Sequence, residues 1–247
     1  MFNLINSFLV TFIFLFAQSS HAADPWEVSV EHAPSGRFDT NVVAMTWMPT
    51  FCHANNVSNN EICSNEFKLH GIWPYYIASN DNDNDKVLNY HPSHCYHSKG
   101  CSFSKDCKIS TETISYLKED PAMQRAYPNS VALWSHEWKK HGTCSGLNQK
   151  EYFAQANTYL PKISPHIIKL KNLIEENKLS PINVSRIYSL LPNNVSLRCK
   201  KIQDENYLFE VNFFFNRTGE PHNQVNTQIG DKCNGMVFLS RLTKKEY

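Results

Sequence analysis

The sequence predicts an α+β fold with a central, mostly antiparallel sheet, several helices and stabilising disulfides. Three observations predict this class. Helical and strand-like segments are mixed along the chain and do not alternate regularly. Strand-like segments are concentrated toward the C-terminus, at 195–202, 207–215 and 236–239. Eight cysteines are more than a cytosolic protein of this size usually carries without metal sites, so we expect disulfides.

Two further strands are predicted in the N-terminal half of the chain. Residues 42–47 are apolar and β-branched, and Pro49 follows them. Residues 67–73 alternate apolar and polar side chains as far as Gly71, and we expect Pro74 to end this strand. The second strand therefore carries His70 and Gly71 near its end, where we expect the edge of a functional site.

Helical spacing appears in three places outside that site. Ile114 and Leu117 follow Ser110, which is a candidate N-cap. Two more helices are predicted at 151–160 and 167–173. The chain shows no internal repeat and no linker rich in Pro or Ser, so we expect a single domain over 23–247.

Composition and charge limit the classes of function. The chain has 247 residues, of which 41% are hydrophobic and 13% aromatic, which suffices for a core and excludes a disordered chain. The formal charge of +1 argues against a polycationic protein that wraps nucleic acid. Protonating all 11 histidines would take the charge to +12, so affinity for anions should rise with acidity.

Residues 1–22 have the features of a secretory signal peptide. Residues 8–17 are nearly all apolar, and a polar stretch that ends in small residues runs on to Ala22. A membrane anchor would need roughly 20 apolar residues, about twice the number present. We therefore expect a protein of the secretory pathway or periplasm, secreted and free of the membrane after cleavage.

Residues 80–108 are rich in turn formers and predict a long, disulfide-tied loop.

The segment 133–144 concentrates ionisable side chains between tryptophans. At about 100° per residue, a helix would place four titratable groups on one face: His136, Glu137, Lys140 and His141. A glutamate can orient an imidazole, while lysine and a protonated imidazole can neutralise a phosphate. The alternative is an ordinary solvent-exposed helix face; the flanking tryptophans and a further histidine, His70, favour a site.

No metal and no other cofactor is expected. The zinc-protease motif H-E-x-x-H has its histidines four residues apart, whereas His136 and His141 are five apart, about 140° around a helix. Successive cysteines are at least six residues apart, which is too wide for the usual zinc knuckles.

Two segments resemble the signature segments of the ribonuclease T2 family, the secreted or vacuolar acid endoribonucleases. They are 68–74 (KLHGIWP) and 134–144 (WSHEWKKHGTC). The strand that ends at Trp47 and the late cysteines extend the resemblance more weakly. The resemblance implies an α+β fold, no metal, and cleavage of single-stranded RNA by transesterification through a 2′,3′-cyclic phosphate.

The resemblance also implies a role for each titratable residue. His141 matches the general base that takes the proton from the ribose 2′-hydroxyl, and His70 matches the general acid that protonates the departing 5′-oxygen. His136 matches a phosphate-binding residue. Glu137 and Lys140 match the groups that stabilise the phosphorane. Because nearby cations favour neutral imidazole and Glu137 favours the charged form, we expect an acidic optimum.

Substrate binding is expected at Trp73, Tyr75 and Thr46. Trp73 could stack on a base, although packing in the core is an equal alternative. Tyr75 occupies a place where the family typically has Asp or Asn, and Thr46 one where many members have Gln, so we expect low base specificity. Trp134 and Trp138 are expected to pack the helix against the sheet.

The resemblance favours two disulfides, Cys95–Cys144 and Cys199–Cys233, and proximity adds Cys52–Cys63 and Cys101–Cys107. Cys95, Cys101 and Cys107 are close enough in sequence to compete for one partner. The expected partner molecule is RNA, without stable DNA binding, and the expected state is a monomer. Two other classes of function remain open: an inactive secreted recognition protein on the same scaffold, and a zinc hydrolase.

Overall fold

The computed structural model describes residues 28–31, 35–58, 62–75, 90–95, 98–99, 101, 107–177, 180–222 and 228–242. The expected signal peptide, 1–22, and most of the expected long loop lie outside these residues. Within the described ranges, no helix is both long and apolar enough to cross a membrane.

The order of elements mixes strands and helices. The strands are β1 (Val28–Glu31), β2 (Thr40–Trp47), β3 (Phe67–Tyr75), β4 (Tyr90–Ser93), β5 (Ile182–Asn183), β6 (Val195–Ile202), β7 (Glu205–Asn216) and β8 (Met236–Val237). The helices are α1 (Met48–Asn55), α2 (Thr111–Glu119), α3 (Pro121–Ala126), α4 (Val131–Lys140), α5 (Gln149–Ala154), α6 (Ala156–Glu176) and α7 (Val184–Tyr188). The predicted α+β class is confirmed.

The central sheet has four strands in the order β3-β2-β7-β6, and every neighbouring pair is antiparallel. Two short pairs lie outside it: β1 with β4, which is parallel, and β5 with β8, which is antiparallel. All eight residues of β2 are buried, because β2 lies inside the sheet and both of its faces are covered.

The two faces of the sheet carry different hydrophobic clusters. Val43, Met45 and Leu69 belong to the large core that the helices cover. Val42 and Trp73 belong to a smaller cluster on the opposite face. Side chains alternate along a strand, so the even-numbered residues of β2 share this second face. The candidate site residues of the strands lie on the second face.

Helix α4 packs into the large core through Trp134 and Trp138, which are 1% and 0% exposed. The expectation that these tryptophans serve packing is confirmed. The N-cap of α4 is Ser130, whose hydroxyl accepts from the Leu133 N–H at 3.2 Å. The predicted cap of α2 is confirmed as well, since the Ser110 hydroxyl accepts from the Thr113 N–H.

Two sequence-based boundaries are wrong, and both involve proline. Pro74 does not end its strand; it lies within β3 opposite Asn41. Because β3 is an edge strand, a proline there is tolerated. The helices predicted at 151–160 and 167–173 are instead α5 and a continuous α6 that contains Pro161 and Pro165. The buried apolar stripe of α6 offsets the hydrogen bonds that these prolines remove.

The described cysteines form four disulfides: Cys52–Cys63, Cys95–Cys144, Cys101–Cys107 and Cys199–Cys233. These are the pairs expected from the resemblance and from proximity. Cys199 lies in β6 of the central sheet, and Cys144 closes the turn that follows α4. The Cys95–Cys144 bridge therefore fixes the C-terminal end of α4, where several candidate catalytic residues lie.

Candidate active site

The candidate site lies where the middle of β3 meets the C-terminal half of α4. β3 supplies His70 and Trp73, and α4 supplies Glu137. Close contact between these elements requires Gly71. A Cβ atom at this position would lie 1.9 Å from Glu137 Oε2 and 2.4 Å from Trp73 Nε1. The glycine of the signature segment thus makes room for the carboxylate.

Glu137 is buried, with 1% of its surface exposed, and has two polar neighbours. The Trp73 indole N–H donates to Oε2 at 2.8 Å, and Oε1 lies 3.5 Å from His70 Nε2. Burial raises the pKa of Glu137 to about 7, although His70, the Trp73 hydrogen bond and Lys140 lower it. The carboxyl group can therefore gain or lose a proton near neutral pH.

His141 occupies the C-cap of α4 and is 3% exposed. Its ring stacks on the Trp73 indole, with centroids 5.2 Å apart, and lies 5.3 Å from the His91 ring and 6.4 Å from the His136 ring. Burial and the charges of Lys140 and the neighbouring histidines hold the pKa of His141 well below its usual value of 6.5. These surroundings therefore favour the neutral form of His141.

The surroundings of His70 favour its protonated form, the opposite of those of His141. Its side chain is 29% exposed, and its ring meets the edge of the Trp73 indole at 5.2 Å. Burial lowers its pKa, but the hydrogen bond to Glu210 and the charges of Glu137 and Glu210 outweigh burial and leave the pKa raised. His70 and His141, whose imidazoles both contact the Trp73 indole, therefore favour opposite protonation states.

Sequence reasoning missed two buried residues of this site. Glu210 of β7 is 0% exposed, and its Oε2 lies 2.8 Å from His70 Nδ1. His91 of β4 is 2% exposed and lies between the rings of Tyr75 and His141. Only a charged residue inside an otherwise apolar strand pattern could have indicated Glu210. His91 falls inside the segment 80–108, for which the sequence predicts a loop and the structure has strand β4.

The structure places the other predicted site residues as follows. His136 is exposed, and Lys140 is half-buried on the same helix. The expected substrate-binding side chains are buried: Thr46, Trp73 and Tyr75 are 6%, 5% and 1% exposed. Trp73 and Thr46 bond to Glu137 and Glu210, and Tyr75 stacks on His91. Base contact by these three residues stays a prediction.

Among the residues that the structure describes, one group of side chains near this site could hold a metal ion. His136, Glu137 and His141 each offer a ligand atom, and these atoms lie within 4.8 Å of one another. Zinc enzymes commonly use three protein ligands. His141 leaves the regular helix at the C-cap, with φ −113° and ψ −46°, so the helical angle used in the sequence argument does not apply to it.

The arrangement is suited to proton transfer around an anion. A neutral imidazole can accept a proton while a protonated imidazole donates one, and both rings contact the indole of Trp73. Lys140 adds positive charge beside Glu137 and His141. Fold and site together define the class: a disulfide-linked α+β protein whose candidate centre pairs histidines with buried carboxylates.

The chain belongs to the ribonuclease T2 family, whose profile matches residues 38–226. It is similar to a ribonuclease of Aeromonas hydrophila, with 31% identity over 140 residues, which cover 54% of this chain and 51% of that protein. The chain therefore spans about half the length of this curated relative.

Solved structures show the same fold. The self-incompatibility-associated SF11-RNase of Nicotiana alata has a TM-score of 0.58 at 19% identity, covering 83% of this chain and 100% of that one. RNase NT, solved in complex with 5′-AMP, has a TM-score of 0.53 at 18% identity, with 83% and 100% coverage.

We predict that Gly71→Ala disrupts the contact between β3 and α4. The new methyl group must displace Glu137 or Trp73, which leaves a buried carboxylate without its donor and costs roughly 1–3 kcal/mol. The free energy of unfolding, measured with urea, checks this loss. Trp73→Phe is the comparison variant, since it removes the same hydrogen bond without the clash and should show the loss of stability that this hydrogen bond alone accounts for. A Gly71→Ala variant as stable as the wild type would contradict the prediction.

Proposed function

We propose that this chain is a metal-independent endoribonuclease that cleaves single-stranded RNA through a 2′,3′-cyclic phosphate. One observation carries the proposal: His70 and His141 contact the same indole, and their surroundings bias them toward opposite protonation states. General acid–base catalysis of phosphoryl transfer needs such a pair. Membership of the ribonuclease T2 family supports the choice of RNA as substrate.

In the proposed first step, neutral His141 takes the proton from the ribose 2′-hydroxyl. The 2′-oxygen then bonds to phosphorus, the bond from phosphorus to the 5′-oxygen breaks, and His70 gives its proton to that oxygen. The products are a 2′,3′-cyclic phosphate and a free 5′-hydroxyl. In the second step the two histidines exchange roles, and water opens the cyclic phosphate.

The remaining residues stabilise charge in this proposal. Exposed His136 binds the phosphate from the solvent side, while Lys140 neutralises negative charge that develops on the phosphorane oxygens. Glu137, with a pKa near 7, can share a proton with these oxygens or with His70. Positioning and charge stabilisation supply most of the rate, because the nucleophile belongs to the substrate.

Substrate scope follows from the same chemistry. DNA lacks the attacking 2′-hydroxyl and should survive. The related RNase NT was solved with 5′-AMP, which supports a nucleotide-binding site in this chain. We propose low base specificity and a monomeric state. Trp73, Tyr75 and Thr46 remain the proposed base contacts.

We also propose that residues 1–22 are a signal peptide and that 23–247 act as one domain in a secretory or periplasmic compartment. The tomato relatives in the family include an extracellular and an intracellular ribonuclease, so the proposed location rests on the apolar segment 8–17 and the small residues that follow it. N-terminal sequencing of the protein purified from its natural source tests the proposed cleavage after Ala22.

A zinc hydrolase is the second candidate, because His136, Glu137 and His141 place three possible ligand atoms close together. An inactive recognition protein is the third.

The purified protein should cleave RNA at acidic pH whether or not EDTA is present, and it should leave DNA of the same sequence intact. Product analysis should find a terminal 2′,3′-cyclic phosphate. Loss of cleavage with EDTA would identify a zinc hydrolase, and absence of any cleavage would favour a recognition protein. Either result would contradict the proposal.

His141→Ala and His70→Ala should each lower kcat/KM on RNA by about 10²–10⁴-fold, since each removes a proton-transfer group. A substrate with a nitrophenolate leaving group separates the two roles, because this leaving group needs no proton. On that substrate His70→Ala should recover most of its activity and His141→Ala should not. His53→Ala, at an exposed position of α1, is the control and should match the wild type. Equal losses of His70→Ala on both substrates would contradict the assignment.

The pH profile of kcat/KM should be bell-shaped. The base acts when deprotonated, and the lowered pKa of His141 places the acid limb well below pH 6.5. The acid acts when protonated, and the raised pKa of His70 places the alkaline limb above pH 6.5. Initial rates from about pH 4 to about pH 9 check both limbs. An acid limb at or above pH 6.5 would contradict the assignment of His141.

A further inference from the structure

A buried carboxylate on the central sheet has no part in the proposed steps. Glu210 of β7 is 0% exposed, yet three polar side chains surround it. Its Oε2 lies 2.8 Å from His70 Nδ1 and accepts from the Thr46 hydroxyl at 3.1 Å. Its Oε1 lies 3.8 Å from Arg198 Nη1. Burying a charged carboxylate costs free energy unless partners compensate it, so these three contacts are what make a charged Glu210 tolerable inside the sheet.

Strand register fixes the position of Glu210. Thr46 of β2 and Arg198 of β6 are its direct cross-strand partners, so the three side chains form one row across three strands on the second face of the sheet. Burial raises the pKa of Glu210, but the hydrogen bond and charge of His70, the charge of Arg198 and the hydrogen bond of Thr46 outweigh burial and leave the pKa lowered. Glu210 is therefore ionised at neutral pH and contacts polar partners on three strands.

His70 lies in an irregularity of β3 that brings it toward this row. The β2–β3 register passes from Ala44–Gly71 directly to Met45–Leu69, which leaves His70 without a partner residue on β2. A β-bulge of this kind bends a strand and redirects a side chain, and bulges are frequent at active sites. The bulge places Nδ1 against Glu210 while Nε2 lies 3.5 Å from Glu137 Oε1.

We propose that Glu210 is a positioning residue for His70: it accepts the Nδ1 proton, fixes the ring, and keeps Nε2 as the atom that carries the transferred proton. This inference rests on the proposed function, in which His70 is the general acid. A carboxylate on one imidazole nitrogen determines which nitrogen exchanges protons. The groups that face His70 are Glu210 from β7, Glu137 from α4, Arg198 from β6 and the Trp73 indole of its own strand.

Glu210→Gln is the test variant, because the amide oxygen can still accept from Nδ1 but carries no charge. The alkaline limb of kcat/KM on RNA should move to lower pH, and a movement of one unit would lower the rate about tenfold on that limb. At acidic pH, where His70 is protonated in both proteins, the rates should converge. On the nitrophenyl substrate, which needs no acid, the variant should match the wild type across the profile.

Glu205→Gln is the matched control, since Glu205 is an exposed glutamate of the same strand. This control should leave both limbs in place. An NMR titration of the His70 ring should show a lower pKa in Glu210→Gln than in the wild type and in the control. An unchanged alkaline limb together with an unchanged His70 titration would overturn the proposal.

A measurement on the wild type keeps the proposal testable if Glu210→Gln does not fold. Above the pKa of His70, nitrogen-15 shifts of the neutral ring should show the proton on Nδ1, and a proton on Nε2 would overturn the proposal. The two hypotheses fail separately. A wild-type protein that leaves RNA intact would refute the proposed function, whereas the ring titration and the proton position would still report on Glu210.

Discussion

The contact between Glu137 and Trp73 is the interaction on which the site depends. The indole N–H reaches Oε2 at 2.8 Å, and this approach is possible because the intervening residue is Gly71. The same indole stacks on His141 and meets the edge of His70. A single side chain thus sets the positions of the carboxylate and of both imidazoles, and β3 and α4 are locked together through it.

Electrostatics then differentiates two chemically identical rings. His141 is surrounded by Lys140, His91 and His136, which together with burial favour its neutral form. His70 faces two carboxylates, Glu137 and Glu210, which favour its charged form. The fold achieves this by burying one histidine beside Lys140 and placing the other in a strand between two carboxylates. The difference in protonation is therefore a property of topology.

Local patterns predicted much of this arrangement. The helical spacing within 134–144 indicated Glu137 and its neighbours, because residues within one helix share a predictable geometry, and the resemblance of 68–74 to a family signature segment indicated His70. Glu210 could not be predicted, since it lies 140 residues from His70 and only strand register brings the two together. The continuous α6 was missed for a related reason: packing of its apolar face against the core outweighs the local effect of two prolines.

The Cys95–Cys144 bridge links this site to the redox conditions around the protein. Cys144 lies three residues after His141, so the segment that carries this imidazole is held by α4 on one side and by the bridge on the other. With the thiols reduced, that segment would retain its backbone hydrogen bonds and lose its covalent anchor. The segment that carries His141 therefore keeps its covalent anchor only where the reduction potential allows cystine to persist.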